Sequence, residues 1–249
     1  MKKTTVIYAN GEHKWLAVSR DPERPNYLID TNEYLITDGK EALLTDPGGS
    51  EIFPAVFSAL CEEFDPARIT HLFASHQDPD IVSSLALWLQ FNPQLRCYTS
   101  WLWTTFIPHF GGNDQTFIPL PDEGLKFQLD RIELEAMPAH YLHSSGNFHL
   151  YDAKAKLLFT GDIGAALLPE TENDLFVKDF DKHIAYIKGF HQRWMGSKEA
   201  VLDWCERASN MEIDMLCPQH GSIYQGQDVS RFINWLSELE VGSGVRRKG

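Results

Sequence analysis

The sequence predicts an α/β (α+β) protein in which two mixed β-sheets pack face to face and helices cover the outer surfaces. Runs of short strands are followed by helices twice along the 249 residues, a pattern typical of two sheets with helices outside. No Pro/Ser-rich linker or low-complexity tract divides the chain, and polar residues follow several apolar strands. We therefore expect one domain over residues 1–249, with a flexible tail over about 241–249.

The first half begins with an antiparallel meander and continues with alternating helices and strands. Turn residues such as Asp21-Pro22 separate the first strands, because Asp and Pro favour turns. Apolar residues at helical spacing, among them Phe53, Val56 and Leu60, predict the first helix. The predicted strands cover residues 5–9, 14–18, 27–29, 34–36, 41–45, 69–74 and 95–99, and the predicted helices cover 52–64 and 81–89.

The second half repeats the order of strands followed by helices. Three residues, 153–155, separate two strand-like runs and predict a hairpin. The predicted strands cover residues 117–120, 126–129, 131–137, 147–152, 156–160 and 214–217, and the predicted helices cover 181–195, 197–208 and 229–239. Packing of the two halves brings the polar residues at the strand ends to one edge of the fold.

Composition argues against several classes of function. Lys and Arg number 22 against 35 Asp and Glu, which gives a formal charge of −13. A field of this sign repels nucleic-acid phosphates and anionic lipid surfaces. The longest apolar runs fall far short of the ~20 residues of a bilayer span, and polar residues interrupt the N-terminus before a signal-peptide core can form. We expect a cytoplasmic protein with no nucleic-acid or membrane partner.

Six His and Asp residues follow apolar strands at four places and are candidate metal ligands. They are His76, Asp78, Asp80, His143, Asp162 and His220. Alternate residues of an extended segment point the same way, so the spacing of the first three can turn them toward one point. Three imidazoles and three carboxylates suffice for two metal ions if one carboxylate bridges. Asp78 and Asp80 also suit turn or N-cap positions of the next helix, but four such strand ends favour a metal centre.

The motifs that contain these residues resemble the metallo-β-lactamase superfamily across nearly the entire sequence. That superfamily carries HxHxDH, then a His, a Gly-Asp pair and a late His at strand ends. The motifs look most like flavodiiron proteins, which replace the second His by a carboxylate, and closer still like the stand-alone oxygen-binding diiron proteins related to them. They are Ser75-His76-Gln77-Asp78-Pro79-Asp80, His143-Ser144-Ser145-Gly146-Asn147-Phe148, Thr160-Gly161-Asp162 and Pro218-Gln219-His220-Gly221. The resemblance implies an αββα sandwich.

The resemblance also implies a distribution of the ligands over two metal ions. It assigns the six as follows: His76, Asp78 and His143 on one iron, Asp80 and His220 on the other, and Asp162 between them. Two positions depart from the pattern. Asp78 stands where flavodiiron proteins usually carry Glu, so its reach is one methylene shorter. Ile81 replaces the last His of HxHxDH, which removes a ligand and leaves an open position where a small molecule can bind.

Ligand chemistry and resemblance together point to a non-haem diiron centre. Imidazole and carboxylate ligands without thiolate favour iron or manganese over zinc. Manganese and zinc both stay open as alternatives to iron. The resemblance implies that the centre binds dioxygen, with nitric oxide as a second diatomic ligand. The alternative is a dinuclear metal-dependent hydrolase of a thioester, lactone or phosphodiester, in which a metal-bound hydroxide is the nucleophile.

Partners follow from the domains that the chain is expected to lack. Flavodiiron reductases carry a flavodoxin domain with FMN, and we expect neither an FMN domain nor a Cys-rich rubredoxin segment here. The protein would then be an oxygen sensor or carrier with a signalling partner, or an oxidoreductase that needs a separate electron donor protein. A homodimer is implied by the resemblance alone.

Three further residues are candidates for contacts around the metal ligands: His140, Asn147 and Tyr224. His140 suits equally a hydrogen-bond partner of the ligands and a plain residue at a strand end. We expect Asn147 to stabilise the loop after His143. Tyr224 suits a half-buried core position better than a position from which its phenol points at a bound ligand.

Overall fold

The computed structural model of the chain describes residues 2–21, 23–25 and 27–245. Two mixed sheets face each other and helices lie on both outer surfaces, which confirms the predicted fold class. Central strands of both sheets are buried on both faces, because side chains on one face of each sheet meet the other sheet and those on the opposite face meet helices.

The first sheet has seven strands whose spatial order equals their order in the chain. They are β1 (Thr4–Asn10), β2 (His13–Val18), β3 (Glu33–Thr37), β4 (Ala42–Thr45), β5 (Ile69–Phe73), β6 (Arg96–Ser100) and β7 (Phe117–Leu120). Neighbours from β1 to β4 pair antiparallel, and neighbours from β4 to β7 pair parallel. The parallel half therefore aligns the C-terminal ends of its strands at one edge.

The second sheet has six strands in the order β13-β12-β11-β10-β9-β8. They are β8 (Leu125–Leu129), β9 (Ile132–Pro138), β10 (Phe148–Asp152), β11 (Leu157–Gly161), β12 (Met215–Pro218) and β13 (Tyr224–Gln225). Only β11 and β12 pair parallel, so their C-terminal ends leave the sheet side by side.

Six α-helices cover the sheets. They are α1 (Phe53–Glu63), α2 (Pro79–Val82), α3 (Leu85–Phe91), α4 (Phe180–Trp194), α5 (Lys198–Ser209) and α6 (Gln227–Glu238). Side-chain caps set the starts of two long helices, since Asp179 accepts from the Lys182 amide of α4 and Ser197 accepts from the Ala200 amide of α5.

The core consists of three layers of apolar side chains. Trp15, Tyr34 and Phe159 lie between the sheets and are fully buried. A second layer joins the first sheet to α1, α2 and α3, and a third joins the second sheet to α4, α5 and α6. The order of layers is helix, sheet, sheet, helix, which is the αββα sandwich implied by the resemblance.

Two of the predicted elements were wrong in kind or extent. Residues 27–29 form no strand; the Leu28 amide bonds to the Pro25 carbonyl in a turn, and the Arg24 Nε bonds to the Leu28 carbonyl. The predicted helix 81–89 is divided into α2 and α3 at Ser83-Ser84. The Ser84 hydroxyl donates to the Pro47 carbonyl at 2.9 Å, so the break is held by a contact outside the helix.

The C-terminal segment predicted to be flexible is partly described. Within it, Val241 is buried, and the amides of Gly242 and Ser243 bond to the carbonyls of Met195 and Gln192. Residues 246–249 lie outside the described residues, and the single domain over 1–249 stays a prediction. No helix in the described part of the chain has both the length and the apolarity needed to cross a membrane.

Candidate metal centre

The six predicted ligands come together at one edge of the sandwich. The first three follow β5, Asp162 follows β11, and His220 follows β12. His143 lies in the connection from β9 to β10. The parallel pairings of β4 with β5 and of β11 with β12 bring these strand ends to the same place, which explains how residues up to 144 positions apart in sequence share one site.

Four of the ligands surround a first metal position. His143 Nε2 lies 2.8 Å from Asp162 Oδ2 and 3.5 Å from Asp78 Oδ2. His76 Nε2 lies 3.5 Å from Asp78 Oδ2 and 3.7 Å from Asp162 Oδ2. One atom each of His76, Asp78 and His143 falls within 4.8 Å of the other two, a spacing that a single ion can bridge.

Three of the ligands surround a second position on the other side of Asp162. His220 Nε2 lies 3.3 Å from Asp162 Oδ1 and 3.3 Å from Asp80 Oδ2. The two carboxylate oxygens of Asp162 therefore face different histidines. Asp162 thus lies between the two groups of candidate ligands, and the distribution of ligands over two metal ions stays a prediction.

Two buried atoms in the centre fit metal ligation better than hydrogen bonding. His76 Nε2 and Asp162 Oδ1 are buried and have no hydrogen-bond partner among the described groups. Buried polar atoms are nearly always paired, and a bound ion is one explanation for those that are not. Carboxylate and imidazole groups also suit iron. The residues present therefore fit a pair of iron ions.

A buried network of hydrogen bonds fixes the ring of His76. The Ser75 hydroxyl lies 2.7 Å from Asp46 Oδ2 and 3.0 Å from His76 Nδ1, and the Ser75 amide donates to Asp46 Oδ1 at 2.7 Å. Because the carboxylate can only accept, the hydroxyl donates to Asp46 and accepts from His76 Nδ1. The free lone pair of His76 is then on Nε2, which faces the first metal position.

A backbone carbonyl fixes the ring of His220. His220 Nδ1 donates to the Asp30 carbonyl at 2.5 Å, which leaves the lone pair of Nε2 for the second metal position. The Gln219 side chain adds a contact, since its amide nitrogen lies 3.3 Å from the Asp80 carbonyl. In both His76 and His220 a hydrogen bond at Nδ1 fixes the ring, so Nε2 is the atom that faces the proposed metal position.

Polar side chains also tie the loop of His143 to the segment of Asp78. The Ser144 hydroxyl donates to Gln77 Oε1 at 2.7 Å, and Gln77 Nε2 donates to Asp78 Oδ1 at 3.0 Å. Asn147 Nδ2 donates to the Leu142 carbonyl, so Asn147 holds the residue before His143. This contact agrees with the stabilising role predicted for Asn147.

Charges in the centre favour a cation between the carboxylates. Burial by itself would raise the pKa of Asp162, but the neighbouring imidazoles of His143 and His220 outweigh it and hold that pKa well below its ordinary value. Burial would likewise lower the pKa of His76, but Asp78 and Asp162 raise it to about 9. The Asp162 carboxylate is therefore ionised at neutral pH, as a metal ligand must be.

The mouth of the centre lies on the side of Asp78 and Asp80. Their side chains are 31% and 30% exposed, whereas those of His76 and His220 are 1% and 2% exposed. Ile81 is fully buried in the layer beneath α1, so it offers no polar atom to the second position. Small molecules from solvent can therefore reach the carboxylate side of the centre.

Two of the residues predicted to contact the metal ligands, His140 and Tyr224, contact other groups instead. His140 Nε2 bonds to the Asp122 carbonyl at 3.1 Å and its ring packs on Phe148, so it takes the role of a residue at a strand end. The Tyr224 phenol donates to the Gly164 carbonyl at 2.8 Å inside the core. Tyr224 thus supports the turn after Asp162, and its phenol does not point at a ligand of the metals.

Sequence reasoning missed three residues that orient the ligands: Asp46, Gln77 and Asp30. Asp46 follows the apolar strand β4, so it carries the same signal of a polar residue at a strand end that identified the ligands. Gln77 stands between two predicted ligands. Asp30 acts on His220 through its backbone carbonyl, which no side-chain pattern can indicate.

Fold and site together define a metallo-β-lactamase-fold protein with a candidate His/Asp metal centre. The family described as ODP family beta lactamase matches residues 29–221. This span covers most of the chain and all six ligand positions. The chain belongs to the ODP family, as the sequence motifs predicted.

Solved structures of a chemotaxis sensor ODP are similar to this chain over nearly its full length. One, the apo state of the sensor from T. denticola, is 37% identical, has a TM-score of 0.87 and covers 97% of this chain and 96% of its own. The other, a peroxy diiron species of chemotaxis sensor ODP, is also 37% identical, has a TM-score of 0.86 and covers 97% of each chain.

More distant relatives are longer than this chain. Diflavin flavoprotein A 1 of Synechocystis sp. (strain ATCC 27184 / PCC 6803 / Kazusa) is 25% identical in an alignment of 217 residues, and the match covers 82% of this chain and 36% of that protein. The chain thus spans little more than a third of the length of this curated relative. A flavo di-iron protein from Thermotoga maritima shares the fold, with 21% identity, a TM-score of 0.81 and 95% of this chain against 61% of its own.

Proposed function

We propose that this protein is a non-haem diiron protein that binds dioxygen and acts as an oxygen sensor. The observation that carries the proposal is the convergence of three histidines and three aspartates on two positions that share Asp162. Similarity to a chemotaxis sensor whose structure contains a peroxy diiron species supports both the metal and the ligand. Two ferrous ions would supply the electrons that dioxygen accepts on binding.

This chain's own residues would shape how the ligand binds. His76, Asp78 and His143 would hold one iron, and Asp80 and His220 the other. The exposed side chains of Asp78 and Asp80 leave a solvent path to the irons, and buried Ile81 donates no ligand to the second one. Dioxygen and nitric oxide both suit such an open position, and we propose dioxygen as the physiological one.

A signalling protein would then be the partner, since a sensor must transmit the state of its metal centre. A separate electron donor would instead make the protein an oxygen or nitric oxide reductase. A homodimer and a cytoplasmic location remain predictions from the sequence.

Metal analysis followed by an oxygen titration tests the proposal. Protein purified without added metal should contain about two irons per chain. After anaerobic reduction, stoichiometric oxygen should produce a visible absorption band that persists for minutes without a reductase. A band that decays only when an electron donor is added would favour the reductase. Two zinc ions, no band and turnover of a thioester or lactone would contradict the proposal and identify the hydrolase.

A further inference from the structure

A cavity beside the metal centre is lined by two arginine side chains. Its volume is about 330 Å³, and Arg20, Arg24 and Asp30 form its polar side. Small-molecule sites usually have volumes of about 300–1,000 Å³, so the cavity suits a compact ligand. Gly221, the residue after His220, also borders the cavity. The cavity therefore lies next to the segment that carries a metal ligand.

Arg20 has a buried hydrogen-bond donor without an acceptor. Its side chain is 5% exposed, its Nε donates to the Asp30 carboxylate, and its Nη1 donates to the Glu172 carbonyl. Its Nη2 is also buried but has no partner among the described groups. A buried cation that lacks part of its hydrogen bonding is destabilising. Arg20, which lines the cavity, thus keeps one donor that no described group satisfies.

The charge of the cavity favours an anion. Arg24 adds a second guanidinium group, with Nη1 3.7 Å from Asp30 Oδ2 and Nε bonded to the Leu28 carbonyl at 3.0 Å. Asp30 is the one carboxylate among the described residues that line the cavity. The lining thus carries two guanidinium groups against one carboxylate. That excess stands out in a chain whose formal charge is −13.

The remaining walls of the cavity are apolar. They are formed by Ile29, Leu167, Leu168, Pro169 and the ring of Tyr186. We propose that the cavity binds a small organic carboxylate, with the carboxylate on the arginines and an apolar body on this wall. A guanidinium group binds a carboxylate through charge-assisted hydrogen bonds, which are stronger than neutral ones.

Occupancy of the cavity is linked to the metal centre through Asp30. The Asp30 carboxylate binds both arginines, and its backbone carbonyl accepts the hydrogen bond from His220 Nδ1. An anion that competes for the arginines shifts Asp30 and with it the ring that faces the second metal position. This linkage rests on the proposed metal function, and it is reciprocal: whatever the anion does to metal affinity, the metal does to anion affinity.

Isothermal titration of benzoate into metal-free protein in chloride-free buffer tests the site. Benzoate should bind saturably with one site per chain, and neutral benzamide should bind about tenfold more weakly or not at all. Inorganic phosphate should also bind more weakly, because it has no apolar body. Absence of benzoate binding, or equal binding of benzamide, would overturn the carboxylate site. Equal binding of phosphate would overturn the role of the apolar wall.

Variants distinguish the cavity from binding elsewhere. Arg24→Gln should weaken benzoate binding about tenfold or more, and Leu167→Glu should abolish it by placing a carboxylate at the wall. Leu167 is 49% exposed, so the variant should keep the wild-type circular dichroism spectrum. Arg131→Gln is the control, because Arg131 is 73% exposed and pairs with Asp38 away from the cavity. Wild-type benzoate affinity in Arg24→Gln and Leu167→Glu would overturn the assignment.

Repeating the titration with iron-loaded protein under anaerobic conditions tests the linkage. The benzoate dissociation constant should differ between the metal-free and loaded forms. Equal constants would overturn the linkage but leave the carboxylate site supported. Failure of the protein to bind iron would contradict the proposed function, whereas the titration of the metal-free form would still decide the carboxylate site.

Discussion

The two metal positions are built differently although they share Asp162. The first has three other ligands, and side chains hold them in place: Ser75 and Asp46 orient His76. The second has two other ligands, and a backbone carbonyl, that of Asp30, orients His220. Counting Asp162, the first position thus has four candidate ligands and the second has three, so we expect the second to keep more unfilled coordination for a small-molecule ligand.

We expect the largest change in metal content from loss of Asp162, the ligand that the two positions share. Asp162→Ala should remove metal from both positions, because each of them uses one oxygen of this carboxylate. Metal analysis should give close to zero ions per chain. Asp181→Ala is the matched control, since Asp181 is 79% exposed and pairs with Arg231 far from the strand ends. Full metal content in Asp162→Ala would refute the bridge.

Loss of one histidine should separate the positions. His143→Ala should lower the iron content by about one ion per chain and leave the second position filled, and His220→Ala should do the reverse. Mössbauer spectra of protein enriched in ⁵⁷Fe should show a single remaining iron environment that differs between the two variants. Identical spectra would mean that the positions are not distinct.

Asp46→Asn should weaken the first position alone. The variant keeps the shape of Asp46, but its amide group can no longer accept from both the amide and the hydroxyl of Ser75, so the ring of His76 loses its fixed orientation. The iron affinity of the first position should fall about 10-fold to 100-fold. A metal competition titration measures it. Glu51→Gln, a change at an exposed carboxylate, is the control. An equal loss at both positions would contradict the assignment.

The last effect concerns the pH dependence of stability and the loop that carries His143. His149 contacts Asn147, which holds the loop of His143, and accepts a hydrogen bond from Trp204 Nε1. Burial lowers the pKa of His149 to about 3. Between pH 3 and 6.5 the unfolded chain thus binds this proton and the folded chain does not, so stability falls as pH drops, by up to about 1.4 kcal/mol per pH unit.

Urea unfolding of metal-free protein from pH 4 to 8 measures this slope. His149→Gln should flatten the dependence below pH 6.5, because the residue no longer takes up a proton in the unfolded chain. His109→Gln is the control, since the His109 side chain is exposed and has no described hydrogen bond. An unchanged slope in His149→Gln would contradict the burial argument.

The fold could be predicted because its signals are local. Short apolar runs, turn residues and amphipathic stretches each indicate their own element, and the polar residues after β5, β11 and β12 indicated the ligands. The strand predicted at 27–29 was wrong because Arg24 and Pro25 hold that segment in a turn, a contact between side chain and backbone that an apolar pattern does not show.

The contacts that orient the ligands were harder to predict. Ser75 belongs to the motif that contains His76, but its hydrogen bond to Asp46 joins residues 29 positions apart. Tyr224 was correctly expected in the core, yet its bond to the Gly164 carbonyl depends on how α4 and α6 pack around it. Such long-range hydrogen bonds follow from tertiary packing, which a local sequence pattern does not indicate.

Anaerobic titration of ferrous ion into metal-free protein tests the asymmetry most directly. Calorimetry should resolve two binding steps, a tighter one that Asp46→Asn weakens and a weaker one that His220→Ala abolishes. Oxygen should then produce its absorption band only after the second step is complete. A single step with one iron per chain, or two equal steps that both variants weaken alike, would contradict the account of a first position with four ligands and a second position with three.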